Sequence, residues 1–255
     1  MKVTRFPLLL ACVVLFAAAA LGVRALIRSR RVQLLGRLVV RVETNKPLVA
    51  LTFDDGPAPE AVDALLTTLS AHHAYATFFV VGGALAQAPS IGQTLVAAGH
   101  GLGNHTYSHR SMLLVSPRDI RDEIERTDSL IRLAGQAGAI YFRPPYSHKL
   151  IGLPYFLWRT HRTTVTQDIE PETSLSASAT PAEIVGYTMS RVRPGSIILL
   201  HVWYPSRRSS REAVPLLLDS LTAHGYCIVA VRTLLASADS SGSGITCAAA
   251  DKELK

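Results

Sequence analysis

A chain of 255 residues, 48% of them hydrophobic, carries enough apolar material for one sizeable core, and nothing in its composition suggests global disorder. The formal charge of +7 would suit a polyanion binder, but Lys2, Arg5, Arg24, Arg28, Arg30, Arg31, Arg37 and Arg41 all precede the first acid, Glu43. The remaining body is nearly neutral, which excludes the electrostatic footprint of a nucleic-acid-binding protein.

In chain order, residues 6–23 come first, an uncharged and mostly apolar run behind Lys2 and Arg5. This is the pattern of a signal peptide or a signal anchor, and a retained segment makes the membrane a partner. Ala18, Ala19 and Ala20 offer small residues for cleavage, while the length also suits a marginal span. More Lys and Arg lie behind the run than ahead of it, which under the positive-inside rule opposes export of the downstream domain. Cleavage relieves part of that conflict. The expected order is a targeting segment at 1–23, a basic juxtamembrane linker at 24–46, a catalytic domain at 47–236 and a flexible tail at 237–255. Cys12 is expected as a buried thiol, with Cys227 and Cys247 as a candidate pair in an oxidising compartment.

Residues 47–53 are a bounded apolar run, read as a buried strand that ends in Asp54, Asp55, Gly56 and Pro57. Apolar spacing and β-branched content then predict a helix at 60–69, a strand at 77–81 and a helix at about 91–98. Ser116, Pro117 and Asp119 make a helix start, and Ile120, Ile124 and Ile131 give that helix its inner stripe. Tyr141 and Phe142 lead into Arg143, and a β-branched run at 163–167 leads into Asp168. Thr180, Pro181 and Glu183 spell a capping box for a helix reaching about 192. A strand at 196–200 ends on His201, and a helix through 216–221 and a strand at 226–231 close the body. Such alternation implies an α/β fold with a parallel sheet, and seven or eight units suggest a barrel. Reactive side chains gather beyond the strand ends of such barrels, and the polar clusters of this chain fall just after its predicted strands.

Asp54 and Asp55 sit on a Gly-Pro turn, where one carboxylate can bind a cation while its neighbour faces a substrate; the same motif is also ordinary turn chemistry. His105 and His109, four apart, would share one side of a helical turn within reach of a single metal, or are loop histidines bonded to backbone. Two imidazoles and a carboxylate make a recurring catalytic zinc set with an open position for water. Arg143, fixed by Pro144 and Pro145, would hold its guanidinium against a carboxylate, or marks a turn with a surface arginine. His201 reads as a core histidine or, at a barrel mouth, as a proton donor.

Thr52-Phe53-Asp54-Asp55-Gly56-Pro57, His105-Thr106-Tyr107-Ser108-His109, Arg143-Pro144-Pro145-Tyr146 and Leu199-Leu200-His201 together resemble the ordered motifs of the NodB-like polysaccharide deacetylases, carbohydrate esterase family four. The resemblance covers roughly residues 48–235. It implies a distorted (β/α) barrel, a divalent metal, usually zinc, and hydrolysis of N-acetyl groups on an acetylated sugar polymer outside the cytoplasm. By position it implies Asp54 as general base, Asp55, His105 and His109 as metal ligands, Arg143 as orienter of Asp54 and His201 as general acid. Tyr146 would offer its backbone N–H to the oxyanion, and Leu199 would line the acetyl pocket.

The chain departs from the family pattern at two places. Gln167 stands where a tryptophan is expected, with Asp168 as the acid that tunes His201 and Glu170 behind it. After His201 come Trp203 and Tyr204, which would stack on a sugar ring or simply pack the loop. Arg207, Arg208 and Arg211 would meet an anionic polymer or form a solvated loop. The rival functions are a non-catalytic carbohydrate-binding relative and a metal-dependent hydrolase of another amide or ester.

Overall fold

The computed structural model describes residues 5–239. Helix α1 (Arg5–Ile27) has 23 residues, about 34 Å of helix. Its stretch Leu10–Ile27 has a mean hydropathy of 2.4 and none of it is buried, making it the one described helix long and apolar enough to cross a membrane. Cys12, expected inside, is exposed on it. There follow β1 (Leu38–Val39), β2 (Leu48–Asp54), α2 (Pro59–Ala71), β3 (Thr77–Val80), α3 (Gly82–Gln87), α4 (Pro89–Ala97), β4 (Gly101–Asn104), α5 (Pro117–Leu133) and α6 (Gly152–Arg159). The chain continues through β5 (Thr164–Val165), α7 (Pro181–Met189), β6 (Ile197–Leu200), α8 (Arg208–Ala223), β7 (Cys227–Ile228) and α9 (Val231–Asp239).

All strand pairs are parallel. At the centre β2 pairs with β6 over Ala50 to Phe53, with β3 over Thr52 to Asp54 and with β7 at Leu48 and Val49. β3 pairs with β4, and β1 with β5. Single bridges at Asn104–Phe142, Phe142–Thr164 and Ile169–Ile198 carry the ladder from β4 to β5 and from the segment after β5 back to β6. The outcome is a distorted barrel whose wall is continuous on the β2 side and ragged opposite it.

Every residue of β2 is buried, yet the two-residue period still sorts them. Val49, Leu51 and Phe53 join Leu65 and Leu69 of α2 and Val214 and Leu217 of α8 in the outer layer. Leu48 and Ala50 join Phe79, Val165 and Ile197 in the barrel interior. Thr52 and Asp54 share the parity of Leu48 and Ala50, and Leu199 and His201 share that of Ile197, so both strands aim polar ends at one interior. The capping devices form as the sequence implies. Ser116 accepts from the Asp119 N–H at 3.1 Å, and Thr180 and Glu183 cap each other's backbone.

Several features depart from expectation. Residues 24–46 are bound to the barrel rather than detached: β1 pairs with β5, Val42 is buried with its N–H on the Gly195 carbonyl, and the Lys149 amide donates to Ile27. β4 has the sequence Gly-Leu-Gly-Asn, which carries no strand propensity. It forms because Phe79 of β3 lies where a side chain at Gly103 would go, 2.5 Å from an added Cβ. The last expected strand shortens to β7, and Val231 instead opens α9, which sends Val231, Leu234 and Leu235 into the interior cluster. Cys227 is buried on β7, while Cys247, and with it the expected pairing, lies outside the described residues.

His100 is 3% exposed, and its Nδ1 accepts from the Ala76 N–H at 3.2 Å. Burial, reinforced by the charge of Arg232, lowers its pKa to about 4. The unfolded chain therefore binds a proton that the folded chain refuses, and stability falls as pH drops from about 6.5 towards 4. Replacing His100 by Gln is expected to remove on the order of 3 kcal/mol of that acid-dependent loss, read as a shallower fall of urea midpoints between pH 7 and pH 4.5.

Candidate active site

The interior ends of β2, β4 and β6 and the loop after Phe142 open into one cavity of about 520 Å³. Asp54, Asp55, His105, His109, Arg143 and His201 all line it. Tyr146 and Leu199 line it as well. Most of the residues singled out in the sequence are thus brought together, although they come from segments far apart in the chain.

Arg143 is 2% exposed and its guanidinium makes four hydrogen bonds. Nη1 donates to Asp54 Oδ1 at 2.6 Å and to Thr52 Oγ1 at 2.9 Å, Nε to the Val165 carbonyl at 3.0 Å, and Nη2 to the Thr166 carbonyl at 3.1 Å. Its planar face lies 3.9 Å from the ring centroid of Phe79. Burial pulls the guanidinium's pKa down and Asp54 opposes that pull. Asp54, 3% exposed, therefore has one oxygen committed to Arg143, while Oδ2 lies 3.8 Å from His105 Nε2.

Asp55 turns away from its neighbour because its backbone adopts φ +73°. Its Oδ1 lies 2.9 Å from His109 Nε2 and 3.4 Å from His105 Nε2. Burial works to raise its carboxyl, but bonds from the His105 and His109 rings overcome that and hold it well below the ordinary carboxylate range. Ligand atoms of Asp55, His105 and His109 all fall within 4.8 Å of one another, a spacing and donor set that fit a single divalent cation. His105 Nδ1 lies 2.7 Å from the Arg143 carbonyl, which fixes the ring and leaves Nε2 for the cluster.

The two histidines sit on a loop and not on the expected helical turn. Thr106 and His109 adopt φ +67° and +57°, values that cost roughly 1–3 kcal/mol each for side chains other than glycine. The loop is held by Glu123 of α5, whose carboxylate accepts from the N–H groups of Tyr107 and Ser108, both at 2.8 Å. Asn104 adds an acceptor for the Thr106 N–H at 2.9 Å. Tyr146 is also left-handed, at φ +57°, and its hydroxyl lies 3.3 Å from His109 Nδ1.

Two expectations are corrected. Asp168 does not reach His201: its carboxylate accepts from the Ile197 N–H at 2.7 Å and Ser196 Oγ at 2.9 Å, tying the chain after β5 to the start of β6. The acid at the His201 ring is Glu172, which bonds Nδ1, accepts from the His201 N–H at 3.0 Å and from Ser210 Oγ. Burial works against protonation of His201, but Glu172, joined by Asp54 and Asp55, raises its pKa to about 9. The signal was present as the third acid of Asp168-Ile-Glu170-Pro-Glu172; a short helical turn at Pro171–Thr173 decides which of them faces the histidine. Glu170 instead binds Gln167 Nε2 at 2.6 Å and Arg30 at 2.7 Å.

Trp203 is the second correction. It is 3% exposed and packs in the outer layer, 5.9 Å from the Phe78 centroid, beneath the turn that follows Asp55. Exposed Tyr204 instead donates its hydroxyl to the Asp55 carbonyl at 3.3 Å.

The sequence profile described as "Polysaccharide deacetylase" matches residues 41–151. A peptidoglycan-N-acetylglucosamine deacetylase of Bacillus cereus is 35% identical over 158 residues, which is 62% of this chain and 56% of that one. A chitooligosaccharide deacetylase of Sinorhizobium fredii is 34% identical over 176 residues, covering 65% of this chain and 76% of that protein. The crystal structure of a peptidoglycan N-acetylglucosamine deacetylase superposes with a TM-score of 0.72 at 27% identity, over 78% of this chain and 92% of that one.

A Cβ on Gly56 would fall 2.1 Å from the Trp203 ring, which the outer layer leaves no room to move. Gly56→Ala is therefore expected to displace the Asp54–Asp55 turn and, if the donor cluster holds a divalent cation, to weaken its binding about tenfold in calorimetric titration, while Trp203→Phe, which frees space, restores much of it in the double variant.

Proposed function

Because the chain belongs to the polysaccharide deacetylase family, we propose that it hydrolyses N-acetyl groups on an N-acetylglucosamine-type glycan with a divalent metal held by Asp55, His105 and His109. The observation that carries this reading is the convergence in one cavity of that donor cluster with Asp54 on one side and His201 on the other. His201 Nε2 lies 3.8 Å from Asp55 Oδ2, so acid and ligand set are adjacent. The domain assignment at 47–236 belongs to the same proposal.

When bound, a divalent cation, zinc by the chemistry of two imidazoles and a carboxylate, polarises the acetyl carbonyl and acidifies the attacking water. Asp54, with Oδ1 on Arg143, takes the water's proton at Oδ2. The oxyanion that develops on the acetyl carbonyl oxygen is assigned the backbone N–H of Tyr146, and the methyl group is assigned the wall at Leu199. The leaving amine requires a proton, and His201, kept charged by Glu172, supplies it from Nε2. Peptidoglycan, named for the Bacillus cereus relative, lies outside the cytoplasm, and α1 would serve as signal or anchor to deliver the catalytic domain there.

Asp54→Asn is expected to lower kcat for acetate release from N-acetylglucosamine oligomers roughly 10²- to 10⁴-fold while metal content by mass spectrometry stays at one per chain. His105→Ala should lose the metal itself; turnover that survives in both variants would end this assignment. Glu172→Gln is expected to reduce kcat at least tenfold with little change in KM, because it acts through His201, whereas Asp168→Asn leaves kcat of the folded enzyme near its starting value. The opposite ranking of those two variants would return the positioning role to Asp168.

A further inference from the structure

The cavity that holds the catalytic cluster is also lined by Arg28, Arg30 and Arg207. Arg28 is the first residue after α1, and Arg207 precedes α8, so neither belongs to the motifs that make the deacetylase site. The charges in this cavity can be matched in pairs. Arg143 is neutralised by Asp54 at 2.6 Å, and Arg30 by Glu170 at 2.7 Å with a further bond to Thr173 Oγ1 at 3.0 Å. Asp55 faces His105 and His109, where a cation would take up its charge. His148 adds no positive charge of its own, since burial and the nearby Arg28 both lower its pKa, and its Nδ1 is engaged by Ser111 at 2.9 Å. Among the described residues, no carboxylate pairs with Arg28 or Arg207.

Two guanidinium groups without acids thus border the cavity, and a divalent cation facing the single carboxylate of Asp55 would add to their uncompensated positive charge. A neutral glycan offers them hydroxyl and carbonyl acceptors but no charge to offset their own. From this we infer that Arg28 and Arg207 receive an anionic group, a carboxylate or a phosphate, carried by the glycan beside the sugar that loses its acetyl group. Planar guanidinium forks suit either oxyanion, since both present paired oxygens that accept two parallel N–H bonds. The inference rests on the deacetylase reading and deepens it. It also explains why the segment after α1 is fastened to the barrel: the Lys149 amide donates to the Ile27 carbonyl, Lys149 Nζ bonds the Ser29 carbonyl, and Thr166 Oγ1 donates to the Arg30 carbonyl at 2.8 Å. Those bonds fix Arg28 at the rim whether or not the chain is cut at Ala18, Ala19 or Ala20.

The test uses the full chain loaded with zinc and three matched N-acetylglucosamine oligomers: one neutral, one with a carboxylate on the adjacent sugar and one with a phosphate monoester there. At low salt, kcat/KM for acetate release is expected to be about tenfold higher for at least one acidic oligomer than for the neutral one, the size two charge-assisted contacts give, and to shrink at 0.5 M NaCl. Which acidic oligomer gains identifies the group. In Arg28→Gln/Arg207→Gln the acidic-to-neutral ratio should fall towards one. Equal kcat/KM for all three oligomers, or a preference that survives the double variant, overturns the inference and leaves the deacetylase reading standing. Acetate from none of the three overturns both.

Discussion

A guanidinium sealed from water needs protein acceptors for its donors, and Arg143 makes four such bonds inside this barrel. It takes Thr52 and Asp54 from β2, the Val165 carbonyl from β5 and the Thr166 carbonyl just beyond, and it rests on Phe79 of β3. One side chain therefore fastens opposite walls of a barrel that only isolated bridges close. Its own carbonyl meets His105 Nδ1, so the residue that orients Asp54 also orients a member of the donor cluster. Removing either partner of the Arg143–Asp54 pair would leave a buried charge uncompensated, a loss of roughly 3–5 kcal/mol, which makes the site's electrostatics inseparable from the fold's integrity.

Around that pair, the loops store conformational strain and the scaffold holds it. Asp55, Thr106, His109 and Tyr146 all have positive φ, and all four belong to the cavity or its supporting loops. Each is over-determined by contacts: Trp203 packs under the turn after Asp55, Glu123 and Asn104 hold the 105–109 loop by its N–H groups, and the Tyr146 hydroxyl reaches His109. The supports of the two loops that carry the donor cluster come from α5, from the end of β4 and from the loop after β6. Most are distant in sequence from the residues they hold.

Periodicity and motif chemistry made the central strand, the two capped helices and the Asp54–Asp55 turn legible, because those features depend on neighbours within a few residues. The four motifs also placed Arg143, His105, His109 and His201 in one site before any geometry was known. β4 was not legible, since its glycines form a strand only against Phe79. Glu172 and Asp168 could not be told apart in sequence, because a single short turn rotates one towards His201 and the other towards β6. Trp203 after His201 read equally as a sugar platform or as packing and proved to be core, a choice that the outer layer makes and local sequence does not.

What the chain's own order of residues determined was the inventory: parallel strands with polar ends, carboxylates, imidazoles and a guanidinium at those ends, and an apolar segment ahead of them. Those follow from side-chain chemistry and short-range spacing. Which acid serves which histidine, which aromatic is buried, and how the basic segment after α1 comes to border the cavity were decided only by tertiary packing. Each depends on contacts between segments dozens of residues apart, and burial, not propensity, selects among them.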